Sequence, residues 1–240
     1  MKTQERHHLK TNEFAVRTAR VAETLQGNRD RILLIVGGIA VLATIIGVYL
    51  YMQRRTDNQA GALLGEGLVI QQAQIAPAPT IPGAKQQAGT YPTEQARAEA
   101  ALAAFQKAID EYPSHDAGIA ARYHRAGVLL SMGRAADAEK EFSDAASAAG
   151  SSLTASMARL GQAQAQAAQK KYDDAIKVLT DLSGQRDSEL PVDGVLMELA
   201  RVYQRAGRAQ DAKATFKRVA DEFPMSPYAG EARQQVATIG

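Results

Sequence analysis

The chain has no cysteine and no tryptophan, and aromatic residues fill only 5% of its 240 positions. Without cysteine, disulfides, thiol catalysis, thiolate-bound zinc and lipidation at an N-terminal cysteine are excluded. Scarce aromatics and abundant alanine argue against an aromatic-rich β-sandwich core and for closely packed helices, so the predicted class is all-α. A surplus of charge is also missing from the C-terminal part: residues 93–240 carry 18 Lys/Arg against 20 Asp/Glu, which offers nucleic acid no basic face. Of the four histidines only His115 and His124 fall there, and neither has a nucleophile or carboxylate at a spacing that a helix or turn would force together. Asp173 and Asp174 stand at a helix start, where the dipole favours them without catalysis. His7 and His8 are adjacent in the N-terminal tail and have no further ligands near them. No enzyme activity, metal, cofactor or small-molecule substrate is expected.

What the chain does have is a long apolar run. Residues 32–52, ILLIVGGIAVLATIIGVYLYM, are 21 consecutive residues without a charge, and at 1.5 Å per residue they reach about 31 Å, the thickness of a bilayer core. Tyr49 and Tyr51 stand where an interfacial belt belongs, and Arg54 and Arg55 close the run. Arg17, Arg20, Arg29 and Arg31 precede it, against those two arginines after it. That asymmetry predicts a cytoplasmic N-terminus and an extracytoplasmic, periplasmic C-terminal part, in a single-pass protein of the inner membrane. Gly37, Ala40, Thr44 and Gly47 form one small-residue face. Residues 1–31 hold seven Lys/Arg against four Asp/Glu and predict a basic tail with a short amphipathic helix between Asn12 and Gly27, lying on the lipid surface.

Beyond the run, helical pattern resumes over 58–74 and stops in the Pro/Gln-rich stretch 75–92, which predicts a loop. From Thr93 the pattern is helical almost to the end, and it repeats. Ala101, Ala138, Ala175 and Ala212 are each 37 residues apart; Phe105, Phe142, Leu179 and Phe216 follow them by four; Ala126, Ala163 and Ala200 precede the last three by twelve. The segments GRAADAEKEF and GRAQDAKATF, beginning at Gly133 and Gly207, are close copies. Alanine lets helix axes approach, and the aromatic fills the groove between them.

These residues resemble the tetratricopeptide repeat, a two-helix unit with a small residue in its first helix, a glycine at the turn, and alanine then an aromatic in its second. Ala126, Gly133, Ala138, Phe142 and Ala145 match in one unit, and Ala200, Tyr203, Gly207, Ala212, Phe216 and Pro224 in another. The unit between them carries Lys170 for glycine and Leu179 for phenylalanine. The period exceeds the usual 34 and predicts longer connections between units. The resemblance implies an α-solenoid over 53–240, with a displaced first helix (58–74), repeats over 93–225 and a capping helix over 226–238. Layout is similar to the YfgM-like ancillary subunit family of the SecYEG translocon. That implies a membrane-anchored, chaperone-like adaptor whose partners are secreted client chains, the translocon or periplasmic folding factors. DEFPMSPYAGEA, residues 221–232, instead resembles the outer-membrane assembly lipoprotein BamD and the Tol-Pal coordinator family, although BamD needs a lipidated cysteine. Fifteen residues before Ala138, Ala175 and Ala212 stand Tyr123, Leu160 and Met197, a position that in this repeat faces the concave groove. Four residues on are Gly127, Gln164 and Arg201, not the Lys and Asn of carboxylate-gripping repeats. Tyr123, Leu160, Gln164, Met197 and Arg201 are thus the expected peptide-binding set, with packing between helices as the alternative for the large apolar three.

Overall fold

A computed structural model describes residues 29–78, 80, 85–185 and 190–239, with the backbone alone at Arg29 and Ile32. The amphipathic helix expected between Asn12 and Gly27 and the pair His7 and His8 lie outside the described residues. So do Pro79, residues 81–84 and 186–189, and Gly240.

The chain divides into two compact units, Met1–Thr56 and Asp57–Gly240. In the first, helix α1 (Arg29–Gln71) begins, and from Leu33 it is long and apolar enough to cross a membrane by length and composition. Its large apolar side chains from Leu33 to Met52 are exposed. Thr44 donates its hydroxyl to the carbonyl of Ala40 at 2.8 Å, hiding the polar group within the helix. The sequence pattern predicts a separate helix starting at residue 58. Instead α1 runs through, because Gln53, Arg54, Arg55 and Thr56 contain neither Gly nor Pro to stop it.

In the second unit, residues 74–75 and 90–91 replace part of the expected structureless stretch with a two-residue parallel pairing, β1 (Gln74–Ile75) with β2 (Thr90–Tyr91). Gln86 Nε2 donates to the Ala76 carbonyl at 2.9 Å and to Thr90 Oγ1 at 2.8 Å, and Arg97 donates to the Ala73 carbonyl at 3.2 Å. Among the described residues eight helices follow: α2 (Glu94–Glu111), α3 (Asp116–Ser131), α4 (Ala135–Ala149), α5 (Leu153–Ala168), α6 (Tyr172–Gly184), α7 (Val192–Arg205), α8 (Ala209–Glu222) and α9 (Ala229–Thr238). Each packs on its neighbour in sequence, as a solenoid requires.

The alanines at 101, 138, 175 and 212, with those at 126, 163 and 200, are fully buried, and Phe105, Phe142, Leu179 and Phe216 are buried beside them. The core is three successive clusters. In the first, Leu63, Leu64 and Leu68 of α1 pack against the cluster that holds Phe105; the second includes Phe142, and the third Leu179, Met197 and Phe216.

The turns inside the units obey one geometry. After α3, α5 and α7 the residues Gly133, Lys170 and Gly207 adopt φ of 76°, 62° and 73°. The amides of Arg134, Lys171 and Arg208 then reach back to the carbonyls of Leu129, Gln166 and Tyr203, each at 2.9 Å. This six-to-one closure is the Schellman cap, which needs a left-handed residue and so favours glycine. Lys170 takes the same conformation with a Cβ in place.

The long period predicts extra residues in the links between units. Between α4 and α5 the link is only Gly150–Ser152, and there the extra length lies in helices of 15 and 16 residues. The longer links are those from α6 to α7, over residues 185–191, and from α8 to α9, over residues 223–228. A polar clasp holds α4, α5 and the following turn: Glu139 accepts from Gln166 Nε2 at 3.1 Å, Gln169 Nε2 at 2.7 Å and Lys171 Nζ at 2.8 Å. Partial burial raises the Glu139 pKa, but those hydrogen bonds outweigh it and hold the carboxyl below its ordinary value.

Candidate functional groove

Residues of the first helices of the units, α3, α5 and α7, line two adjoining depressions, and α3 packs directly on α5. The larger has a volume of about 790 Å³ and the smaller about 500 Å³; Leu160, Gln164, Leu190 and Pro191 border both. Residues 123, 160 and 197 come to this face because each lies one period from the next on the same helix of its unit.

The three do not behave alike. Tyr123 is half-buried, its ring 5.7 Å from Phe142 in a tilted arrangement and 5.2 Å from His124 edge-on. Burial pushes the Tyr123 phenol above its ordinary pKa. Leu160 is half-buried and forms the ridge between the depressions. Met197 is only 1% exposed and belongs to the core cluster around Phe216, so it backs the smaller depression from beneath. Of the two places the sequence leaves open for it, Met197 takes packing between helices: Val195, Leu196 and Leu199 on the same helix are buried with it in the cluster that holds Phe216 of α8.

The polar positions also differ from one another. Gln164 is exposed between the two depressions. Arg201 is already engaged: its Nη2 donates to both carboxylate oxygens of Glu231 on α9, at 2.9 and 3.1 Å, and Glu198 lies 3.8 Å from its Nη1. The hydrogen bond to Glu231 raises the Arg201 pKa, so the guanidinium stays charged but is not free to grip a ligand alone. Gly127 lines the larger depression, and a Cβ there would meet nothing within 4 Å.

Several lining residues lie outside the set expected from the sequence. His124 stacks on Phe105 at 5.7 Å and 17°, and burial holds its pKa below the ordinary value. It falls one period before Gly161, so the register contained a signal for it. Gly161 is buried on α5, and a Cβ there would lie 2.4 Å from Phe142 Cε1. The missing side chain lets the ring seat against the helix backbone. Leu190 and Pro191 arrive from the link before α7 and have no periodic signal. The larger depression is therefore aromatic and aliphatic with amide and hydroxyl groups on its border, and among the described residues no Asp, Glu, Lys or Arg lines it. Among the described residues no three His, Asp or Glu side chains gather as a metal site would need.

Comparison with known proteins agrees with this architecture. Residues 166–236, from the end of α5 into α9, match the tetratricopeptide repeat family model. No curated protein matches the chain. Two crystal structures of nearly identical TPR-like repeats from a candidate kinesin light chain of Podosopora anserina are similar in fold. One, a point-substituted form, is 14% identical with a TM-score of 0.53, over 60% of this chain and 77% of that one. The other is 15% identical with a TM-score of 0.52, over 60% of this chain and 78% of that one. The repeat region is a TPR-like α-solenoid, a fold that serves as a protein-interaction scaffold and typically not as a catalyst.

Proposed function

We propose that the chain is a single-pass inner-membrane adaptor, its N-terminus cytoplasmic, whose extracytoplasmic solenoid holds apolar segments of other proteins. The observation that carries this reading is the uncharged trough along α3 and α5, in which Tyr123 and Leu160 stay half exposed when they could have been packed away. An extended or helical apolar segment suits such a surface. The exposed run from Leu33 to Met52 supplies an anchor, and the four-to-two excess of arginine before it favours this orientation. Secreted chains, unfolded as they leave the translocon, present such segments at the membrane, in keeping with the layout shared with the translocon-associated family.

One observation favours a second reading, a scaffold for envelope assembly. Residues 221–232, similar to the assembly and Tol-Pal families, close α8 and open α9 with Met225 95% exposed, a bare apolar side chain in a short connection. Photo-crosslinking from Gln164 in intact membranes, followed by mass spectrometry, separates the two. SecY and nascent secreted chains are expected. Outer-membrane assembly factors would favour the scaffold, and a reporter fused after Gly240 that works only in the cytoplasm would overturn both.

A further inference from the structure

The two depressions differ in charge. Among the described residues no ionised side chain lines the larger one, whereas Asp193, Glu198 and Arg201 line the smaller. Arg201 is held by Glu231, and Glu198 lies within 3.7 and 3.8 Å of Arg205 and Arg201, so those four groups form a closed network of two cations and two carboxylates. Asp193 is left over. Its Oδ2 accepts a 2.6 Å hydrogen bond from Ser226 Oγ, and no cation lies within salt-bridge distance of it among the described residues. Among the described residues the smaller depression therefore presents one carboxylate without an ion-pair partner, in the first turn of α7 and beside the rim formed by Pro227 and Tyr228.

From this we infer that the groove takes a polar-ended apolar segment in one direction, with its uncharged run over α3 and α5 and a Lys or Arg flank beside Asp193 on α7. The inference rests on the groove reading above and adds polarity to it. Leu160, Gln164, Leu190 and Pro191 border both depressions, so the uncharged lining and the part that holds Asp193 adjoin directly. The segment's basic flank thus follows closely on its apolar part. Gln164, at the junction, can both donate to and accept from the backbone of such a segment without regard to its side chains. A glutamate flank would meet an unpaired carboxylate, and like-charge contact selects against wrong partners.

The test uses the full chain in lipid nanodiscs and three fluorescent peptides that share one six-residue apolar core and carry a Lys-Lys, Gly-Ser or Glu-Glu flank. Anisotropy should rank the affinities Lys above Gly above Glu, with about a threefold step at low salt that shrinks as salt is added. Asp193→Asn should bring the ratio of Lys-flanked to Gly-flanked affinity close to one, and Asp193→Glu should restore part of it. The circular dichroism melt of each variant establishes that it is folded. Equal binding of all three peptides to the wild-type chain would overturn the polarity while leaving the groove reading intact. Binding of none would overturn both, and an unchanged ratio in Asp193→Asn would remove Asp193 as the source.

Discussion

Replacing Gly161 by alanine should destabilise the solenoid, although alanine is the better helix former by about 1 kcal/mol. Gly161 is buried in α5 against the Phe142 ring, and an added Cβ would stand 2.4, 2.6 and 2.7 Å from Cε1, Cζ and Cδ1 of that ring. Three ring carbons at those distances cannot be relieved by a small rotation. Phe142 is itself buried at 3% exposure, with Tyr123 5.7 Å away across the ring. Overpacking of this kind costs about 1–3 kcal/mol, so after the propensity gain the net loss should be up to about 2 kcal/mol. The same substitution at Gly127, one turn past Tyr123 on α3, meets nothing within 4 Å and should stabilise by up to about 1 kcal/mol. Thermal melts of the full chain followed at 222 nm should therefore move in opposite directions. Adding Phe142→Leu to the Gly161 variant should cost less than the two single changes together, because the shorter side chain makes room. If Gly161→Ala melts at or above the wild type, Phe142 does not rest on this helix backbone and the packing described here is wrong.

Four other outcomes can be measured. Lys170→Gly should stabilise by about 0.5–1 kcal/mol, the left-handed strain of 1–2 kcal/mol relieved less the chain entropy that glycine adds to the unfolded state; an unchanged urea midpoint would count against strain at this turn. Phe216→Ala should cost about 3–5 kcal/mol and loosen the α7–α9 end first, seen as faster amide exchange in those helices. Met197→Ser should cost about 2–4 kcal/mol in the same melts, whereas Leu160→Ser should cost less and lower affinity for an apolar peptide. His124 titrates below its ordinary value when folded, so its contribution to stability is fully present above about pH 6.5 and is lost as pH falls through the folded value. A His124→Phe variant should flatten that part of the stability profile between pH 7.5 and 5; if the slope persists, another group is responsible.

The solenoid was legible because its signal is redundant: each of three positions repeats at 37, and one substitution such as Leu179 for phenylalanine does not erase the register. The run over 32–52 was legible for the same reason, since every residue carries it. What could not be read were features fixed by single contacts. The continuity of α1 through Gln53–Asp57 depends on the absence of a stop signal, which periodicity does not weigh. The division between Tyr123 and Met197, the same repeat position, is decided by what lies behind each helix. Gly161 is an ordinary small residue until the Phe142 ring is placed against it. Leu190 and Pro191 enter the groove from a link whose course no pattern in the sequence specifies.

The short pairing of Gln74–Ile75 with Thr90–Tyr91 makes the stretch between them modular. Its two ends are stitched by backbone and by Gln86, so the geometry of α1 and α2 at the closure does not depend on how much chain lies between. Loop closure entropy rises by only about 0.6 kcal/mol for each doubling of length. The exposed chain at Ala78 or Lys85 is therefore a place where evolution, or an experimenter, can lengthen the chain or lodge a tag while the repeat register on either side is kept.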